Sequence, residues 1–424
     1  MKTALLLLAF VLCIFTAHAQ APTAKFDNLR VFLDCQTYCD SDFIKRELNF
    51  VDYVNDRFEA NVYVLITSQS TGSGGREYKL QFEGQGKFEG IVDTKSYIRQ
   101  ATATDDEDRK EAIEKIKLGL LPYLLKTDKA KDLLISFKSE EQKNDIATAP
   151  TDDPWNFWVF NLNVRGYFSG DKNYSNNSLS GNISANRVTD KMKTSLSVNA
   201  SENNNRFGQG DEEFKYTNRS YSFNNTTVWS VTDRLSAGGY ISAQNSDYNN
   251  YQLNLAVTPA IEYNFFPYSE SNNKYVGLMY KVGPRYFNYK EETIFSEMEE
   301  LRFQQSLSLD VSLNQKWGQL SGSTSYSHYF HDFDKKRVSF SGYADIRLVK
   351  GLSFNVGGYY AIQHDQLNII KGTVSDEDLL TRRRQLNSNY DFYFNFGIRY
   401  RFGSIFNNVV NPRFNGGGGM MYFY

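Results

Sequence analysis

Long apolar runs are what this sequence has least of. After the first twenty residues, no segment approaches the roughly 18 consecutive apolar residues that a membrane-spanning helix requires. The mean hydropathy of −0.53 is also lower than a bundle of membrane helices would have. The sequence therefore predicts no helical membrane anchor in the mature protein.

Cysteine and histidine are scarce, which argues against a metal centre. The chain has 3 cysteines and 4 histidines, and Cys35 and Cys39 stand in a region without histidine. Structural zinc requires four nitrogen or sulfur ligands, and the spacing differs from the C-x-x-C of redox enzymes. We predict no metal and no cofactor. A structural disulfide is the favoured interpretation for an oxidising compartment, with free thiols as the alternative.

The first residues have the pattern of a secretory signal peptide. MKTALLLLAFVLCIFTAHAQ contains one lysine, an apolar stretch and an Ala-x-Ala site, which predicts cleavage after Ala19. The sequence then divides into a periplasmic α+β domain at 21–142, a linker at 143–154, a β-barrel at 155–403 and a tail at 404–424. The formal net charge of −2 gives no indication of a nucleic-acid partner.

The region before the linker mixes strand and helix patterns. Strands are predicted for LRVFLDC, VYVLITSQS, REYKLQFEG and KDLLISFKS, with a hairpin through GKFEGIVDTKSY. A helix is predicted for DSDFIKRELNFVDYVND, and the capping box of Thr104 and Glu107 opens another through about Leu125, bent by Pro122. The glycine cluster at 71–77 lacks the following helix that a phosphate site needs, so it predicts a turn.

From Trp155 onward, tyrosine, phenylalanine, serine, asparagine and glycine dominate. DFYFNFGIRYRFG at 391–403 alternates apolar with polar residues, which predicts a strand with one apolar and one polar face. Twelve such runs of outer-membrane strand length follow one another. They begin near Trp155, Tyr174, Lys191, Ser220, Arg234, Gln252, Lys274, Phe303, Gly318, Lys335, Gly351 and Asn387.

The connections also alternate between short and long. Short turns are predicted at residues 188–190, 231–233, 267–273, 317–318 and 350–351, and the largest polar loops at 203–220, 288–300 and 364–385. Such sidedness is typical of outer-membrane barrels, whose short turns face the periplasm. A soluble β-sandwich is the alternative. Four tryptophans fall near the short-turn ends, where the barrel interpretation places an interfacial aromatic girdle: Trp155, Trp158, Trp229 and Trp317.

The last run resembles the β-signal of Gram-negative outer-membrane barrels. Phe394, Gly397, Tyr400 and Phe402 match its glycine and aromatic spacing, although a tail follows where such proteins usually end. The export signal, the Tyr/Asn richness and the extra N-terminal domain resemble Bacteroidota barrels. The resemblance implies outer-membrane lipid and lipopolysaccharide as surroundings, with the barrel assembly machinery as a partner. The predicted fold class is an antiparallel transmembrane β-barrel of about twelve strands after a small α+β domain.

Three functions follow from this fold. A narrow passive channel is favoured, with residues 21–142 regulating it or binding a periplasmic partner. A non-conducting scaffold is the second interpretation. The third is a lipase similar to outer-membrane phospholipases, with His328 as its candidate, but Ser325 and Ser327 face the other side of the strand. The side chains of His331 and His328 face opposite sides of the strand, which argues against a metal site shared by the two. We expect no enzymatic activity.

One basic run, Arg382–Arg383–Arg384, precedes the last strand. It could bind lipopolysaccharide phosphates. The acidic SDED sequence nearby favours the alternative interpretation, in which the run is a solvent-exposed group of balanced charges.

Overall fold

The computed structural model describes residues 28–71, 74–134, 153–208, 213–381, 383–404, 406 and 408. The predicted signal peptide, nearly all of the linker and most of the tail lie outside these residues. The described chain comprises an α+β domain at 28–134 and a twelve-stranded sheet from residue 158.

The N-terminal domain is a five-stranded sheet covered by one long helix. Its order is β2-β1-β3-β4-β5, in which β1 is parallel to both neighbours and β3, β4 and β5 are antiparallel. Helix α2 packs on this sheet, and its Ile116 and Leu120 share a buried core with Leu80 and Phe82. The elements are β1 Arg30–Cys35, α1 Ser41–Glu47, β2 Asp52–Tyr53, β3 Val62–Ser70, β4 Arg76–Gly84, β5 Val92–Arg99 and α2 Asp105–Leu124.

Helix α1 is shorter than the sequence pattern predicts. It ends at Glu47, and residues 52–53 pair with β1 as the short parallel strand β2 instead of extending the helix. The four apolar residues of the predicted helical face are nevertheless all buried: Ile44, Leu48, Val51 and Val54. The predicted helical spacing therefore identified core residues correctly, although the backbone that carries them changes conformation after Glu47.

The other elements of the domain follow the sequence more closely. The capping box is present, since Glu107 N donates to Thr104 Oγ1 and Thr104 N donates to Glu107 Oε2. Pro122 lies inside α2. The glycine cluster leads from β3 into β4, not into a helix, as predicted; residues 72–73 lie outside the described residues, and Gly74 takes a positive φ of 80°. Most of the predicted strand at 131–139 lies outside the described residues, which end here in a 3-10 turn, Asp128–Asp132.

The second region is a meander of twelve antiparallel strands. Hydrogen-bonded pairing runs in sequence order from β6 to β17, and all twelve predicted strand starts correspond to observed strands, so the predicted fold class is confirmed. Closure between β6 and β17 remains a prediction. The strands are β6 Trp158–Gly170, β7 Tyr174–Val188, β8 Met192–Phe207, β9 Phe214–Ser230, β10 Leu235–Ser246, β11 Tyr251–Asn264, β12 Lys274–Tyr289, β13 Glu299–Gln315, β14 Gly318–Tyr329, β15 Asp332–Val349, β16 Leu352–Gln363 and β17 Tyr390–Tyr400.

The cross-strand register separates the sheet into an apolar face and a polar face. Phe354 stands opposite Ile398 and Val356 opposite Phe396, and these side chains share the apolar face. The other face carries polar contacts between strands, such as Ser325 Oγ to Ser339 Oγ at 2.7 Å and Asn182 Nδ2 donating to Asn199 Oδ1 at 2.7 Å. The alternation read from the sequence is thus preserved across the sheet.

One predicted long loop is mostly strand. Strand β8 continues to Phe207 and β9 begins at Phe214, so residues 203–207 pair with residues 214–218, with cross-strand contacts such as Thr217 Oγ1 to Asn204 Oδ1. The prediction was wrong because polar residues can continue a hairpin beyond its apolar section. The connections at 290–298 and 364–389 are long, the latter containing α3, Asp376–Thr381, whereas those at 171–173, 247–250 and 330–331 on the same end are short.

No helix among the described residues is long and apolar enough to cross a membrane.

Candidate functional site

The N-terminal domain lies against the short-turn end of the sheet through a buried ion pair. Both guanidinium Nη atoms of Arg347, near the end of β15, contact the carboxylate of Asp34 on β1, which also accepts a hydrogen bond from Tyr63 Oη. The Asp34 side chain is only 2% exposed. Burial and the adjacent carboxylate raise the pKa of Tyr63 far above its usual range, so the phenol remains a donor.

Further contacts extend this junction over three short turns. They join the domain to the turns at 265–273, 316–317 and 350–351, or to residues beside them. Lys350 pairs with Glu59 and Lys316 with Glu83. The hydrogen bonds are Gly351 N to Asp56 Oδ2 at 2.8 Å, Gln36 Nε2 to Gln315 O at 3.0 Å and Asn273 Nδ2 to Gln81 Oε1 at 3.1 Å. Several independent contacts therefore fix the domain at this end.

The chain after β17 also returns to the domain. Val54 and Phe406 form an antiparallel bridge beside the short strand β2. Asn408 Oδ1 accepts from Tyr53 N at 2.6 Å, and its Nδ2 donates to Asp52 Oδ1 at 2.7 Å. The beginning of the predicted tail thus completes the edge of the N-terminal sheet.

A cavity of about 530 Å³ separates the domain from the sheet beside the ion pair. An adjoining space of about 330 Å³ is lined by Lys45 and Arg401, among others. The charged side chains that line the larger cavity come from both parts of the molecule: Asp34, Asp56, Arg57, Asp345, Arg347, Arg399 and Arg401. We call these two connected spaces the vestibule.

The opposite end of the polar face is covered by the longest loop, residues 364–389. Leu367 packs into a buried cluster with Phe287, Tyr289 and Tyr329. Asn368 Nδ2 donates to Asn249 O at 2.9 Å and to Gln385 Oε1 at 2.7 Å, while Ile294 N donates to Ile369 O at 2.9 Å. The loop therefore folds across the sheet and leaves a covered polar surface between itself and the domain.

Two arginines on that polar surface have neutral hydrogen-bond partners. Arg285 donates to Asn254 Oδ1 at 3.1 Å and to Gln304 Oε1 at 3.0 Å. Arg337 donates to Gln363 Oε1 at 3.0 Å and to Tyr359 Oη at 2.9 Å. These contacts hold both guanidinium groups in place, and the carboxyl group of Asp365 interacts electrostatically with both. Such a polar surface interacts favourably with water.

The structure places the predicted site residues as follows. Cys35 and Cys39 are joined by a disulfide with their Cα atoms 6.2 Å apart, at the turn between β1 and α1. All four tryptophans, at 155, 158, 229 and 317, lie in or beside the short-turn end. Of the residues that match the β-signal, Phe394 and Tyr400 lie on the apolar face of β17, Gly397 on its polar face against Asn355, and Phe402 just beyond the strand.

His328 is buried among aromatic and amide groups. Its ring is buried and stacks on Phe333, with ring centroids 4.5 Å apart. Nε2 lies 2.6 Å from Gln305 Nε2, and Nδ1 lies 3.2 Å from Tyr329 O. Ser325 faces the other side of β14, as predicted, where it contacts Ser339. The imidazole therefore packs against an aromatic ring, and no serine is among its hydrogen-bond partners in the described part of the chain.

The basic run before β17 is bound by the acidic segment near it. Arg383 and Arg384 both pair with Asp378 of the SDED sequence, whose side chain is buried. Arg382 lies outside the described residues. Across the described chain, no group of three or more potential metal ligands comes together.

No sequence pattern predicted the Asp34–Arg347 pair or the vestibule. The two partners are 313 positions apart, and neither lies in a recognisable motif. The one available sign was the series of arginines at the short-turn ends of the last strands, at 347, 399 and 401.

Comparisons with known proteins give a loose likeness only. No family model matches the chain, and no curated protein matches it. Among solved structures, the NanC porin is 9% identical with a TM-score of 0.27, covering 57% of this chain and 100% of the porin chain. The translocator domain of the autotransporter NalP from Neisseria meningitidis is 13% identical with a TM-score of 0.16, covering 58% and 82%. These identities and TM-scores are too low to support any conclusion about the activity of this chain.

Proposed function

We propose that the sheet closes into a narrow outer-membrane barrel that passes small polar solutes, with the N-terminal domain on the periplasmic side. The observation that carries this proposal is the division of the sheet into two faces. On β17, Phe396 and Ile398 are 67% and 70% exposed, whereas the alternate residues Asn395 and Arg399 are polar. An exposed apolar face of this extent suits hydrocarbon, and the polar face suits a hydrated lumen.

The strand order supports closure. An even number of strands in a meander makes the first and last strands antiparallel to each other, so β6 and β17 can pair in the same way as all other neighbours. In hydrocarbon every backbone polar group requires a partner within the protein, which favours a closed barrel. On closure, the polar-face residues Asn161 and Asn163 of β6 would stand beside β17.

Both ends of the proposed lumen are covered, which supports a controlled passage. The loop at 364–389 lies over one end and the domain over the other, with the vestibule between domain and sheet. A twelve-stranded barrel is wider than the side-chain-filled eight-stranded type and narrower than sixteen-stranded porins. The passage would therefore be narrow, and release of the domain would widen its periplasmic mouth.

Electrophoresis and planar-bilayer recording test this proposal. The purified chain should migrate faster unboiled than boiled and should produce discrete, salt-dependent conductance steps. Deletion of residues 21–150 should leave the steps and increase their size. A chain that stays monodisperse without detergent would contradict the barrel. A folded barrel that shows no conductance steps, with or without the domain, would contradict the channel.

A non-conducting scaffold is the second candidate, favoured by the extent of the junction. Asp34→Asn and Arg347→Gln separate the two functions, because each leaves its former partner without a counter-charge and weakens docking. For a channel, both variants should raise conductance. For a scaffold, both should remain silent while co-purification of periplasmic partners changes. Lys110→Gln, an exposed ion-pair residue on α2, provides the control that should behave as wild type in both assays.

We propose no catalytic step. The neutral partners of His328 and the distant serines support this, and retention of any phospholipid hydrolysis after His328→Ala would confirm that this residue has no part in it.

A further inference from the structure

Three basic side chains line the vestibule without a salt bridge to any described carboxylate. Arg399 and Arg401 follow each other on the polar face at the end of β17, and Lys45 projects from α1 on the domain side. Within the described part of the chain, none of the three forms an ion pair, whereas Arg347 beside them is held by Asp34. Burial lowers the pKa of Lys45; the nearby Asp42 carboxylate partly offsets this effect, and the positive charge of Arg401 adds to it.

The carboxylates around the vestibule are mostly engaged elsewhere. Asp34 is bound by Arg347 and Tyr63. Asp56 accepts the backbone amides of Phe58 and Gly351, at 3.0 Å and 2.8 Å. The amides orient the Asp56 carboxylate without removing its charge, and Asp345 and Arg57 also lie on the cavity wall. The lining of the vestibule contains five basic side chains and three carboxylates, so its net charge is positive.

Strand pairing fixes the geometry of this basic group. Arg347 stands opposite Ser353 on β16, and Ser353 stands opposite Arg399 on β17. Since neighbouring strands lie about 4.8 Å apart, the two arginines are separated by roughly 10 Å across a small hydroxyl residue.

From this geometry we propose that the vestibule is a binding site for a small anion carrying a carboxylate or phosphate group. Arg399 and Arg401 bind the anion with their planar guanidinium forks, and Lys45 supplies a further positive charge from the domain side. The volume of about 530 Å³ lies within the range of small-molecule sites. The inference deepens the proposed function, because it places a preference for anions on the passage, but binding itself requires no conduction.

The test measures binding to the full-length protein in detergent. Inorganic phosphate and citrate are titrated separately by calorimetry at low and high ionic strength, so that the two arms distinguish phosphate from carboxylate ligands. We expect saturable binding of at least one probe, weakened by salt. Arg399→Gln combined with Arg401→Gln should weaken it by roughly tenfold or more, as expected when charge-assisted hydrogen bonds are lost.

Lys191→Gln combined with Arg234→Gln is the matched control. Both residues are exposed in other short turns at the same end of the sheet, and their replacement removes the same charge. Lys45→Gln is a further variant outside the sheet, which should weaken binding even if the arginine variant fails to fold. The proposal would be overturned if the control lost as much anion affinity as the arginine variant, or if the wild type showed no saturable binding. Unchanged binding to both Lys45→Gln and the arginine variant would also overturn it. If the barrel binds the anion but shows no conductance, only the channel proposal is refuted. If it conducts but does not bind the anion, only the anion site is refuted.

Discussion

The N-terminal domain and the large sheet place their apolar residues in opposite environments. Both contain strands with strict alternation. In β4 the apolar set, including Leu80 and Phe82 at 0% exposure, is covered by α2. In β17 the apolar set, including Phe396 at 67%, is exposed. Alternation therefore determines which residues share a face, while the presence or absence of a covering helix determines whether that face becomes a buried core or an exposed apolar surface.

The largest expected effect comes from the core of the domain. Phe82→Ala should destabilise the domain by about 3–5 kcal/mol, because the ring fills space directly against Gly119 and a cavity would remain. Phe58→Ala, at an exposed position of the same domain, should change stability by less than about 0.5 kcal/mol. Denaturant unfolding followed by limited proteolysis of the domain measures both. Equal effects of the two substitutions would remove the contrast between core and surface.

A smaller effect is expected for a charge on the outer face of the sheet. Ile241 is midway along β10 on the apolar face, and its neighbour Ser242 is on the polar face. Ile241→Arg should cost about 2–4 kcal/mol in lipid, whereas Ser242→Arg should cost clearly less since its charge remains hydrated. Urea titration of folding into vesicles gives the difference. The reverse order of the two variants would mean that the polar face, not the apolar one, contacts lipid.

The smallest expected effect is local to α2. Thr104→Ala removes the hydrogen-bond acceptor of the N-cap and should cost about 1 kcal/mol of domain stability. The hydrogen bonds from Thr104 lower the pKa of Glu107 below its usual value. Its contribution is therefore present above the unfolded-state pKa and is lost as the pH falls through the folded-state pKa. Acid titration of domain unfolding should show this loss in wild type and not in Glu107→Gln.

Local patterns predicted most of the fold. All twelve strands of the sheet, and strands β1, β3, β4 and β5 of the domain, were found from alternation and turn residues because each depends on nearby sequence. The helix at 41–47 was predicted too long, since the segment at 52–53 pairs with β1, and no local pattern contains that tertiary contact. The polar hairpin of β8 and β9 was interpreted as a loop because asparagine-rich strands lack an apolar set near their ends.

The candidate site was less predictable than the fold. Cys35 and Cys39 could be proposed as a pair because they are close in sequence, and Ser325 could be placed away from His328 by counting along one strand. The vestibule depends on contacts such as that of Gln36 with Gln315, 279 positions away. The sequence identifies the charged residues but does not give the distances between them. That Lys45 and Arg401 line the same cavity is therefore known only from the folded structure.

The long separation of the junction contacts has a consequence for the order in which the protein matures. The core of the domain is built entirely from residues 29–133, so it can form before the rest of the chain has been synthesised. Arg347, the partner of Asp34, is synthesised more than 200 residues after that core is complete. Until Arg347 has been made, the Asp34 carboxylate lacks the guanidinium that holds it at the junction. The junction can therefore be completed only after β15 and the turns around it exist.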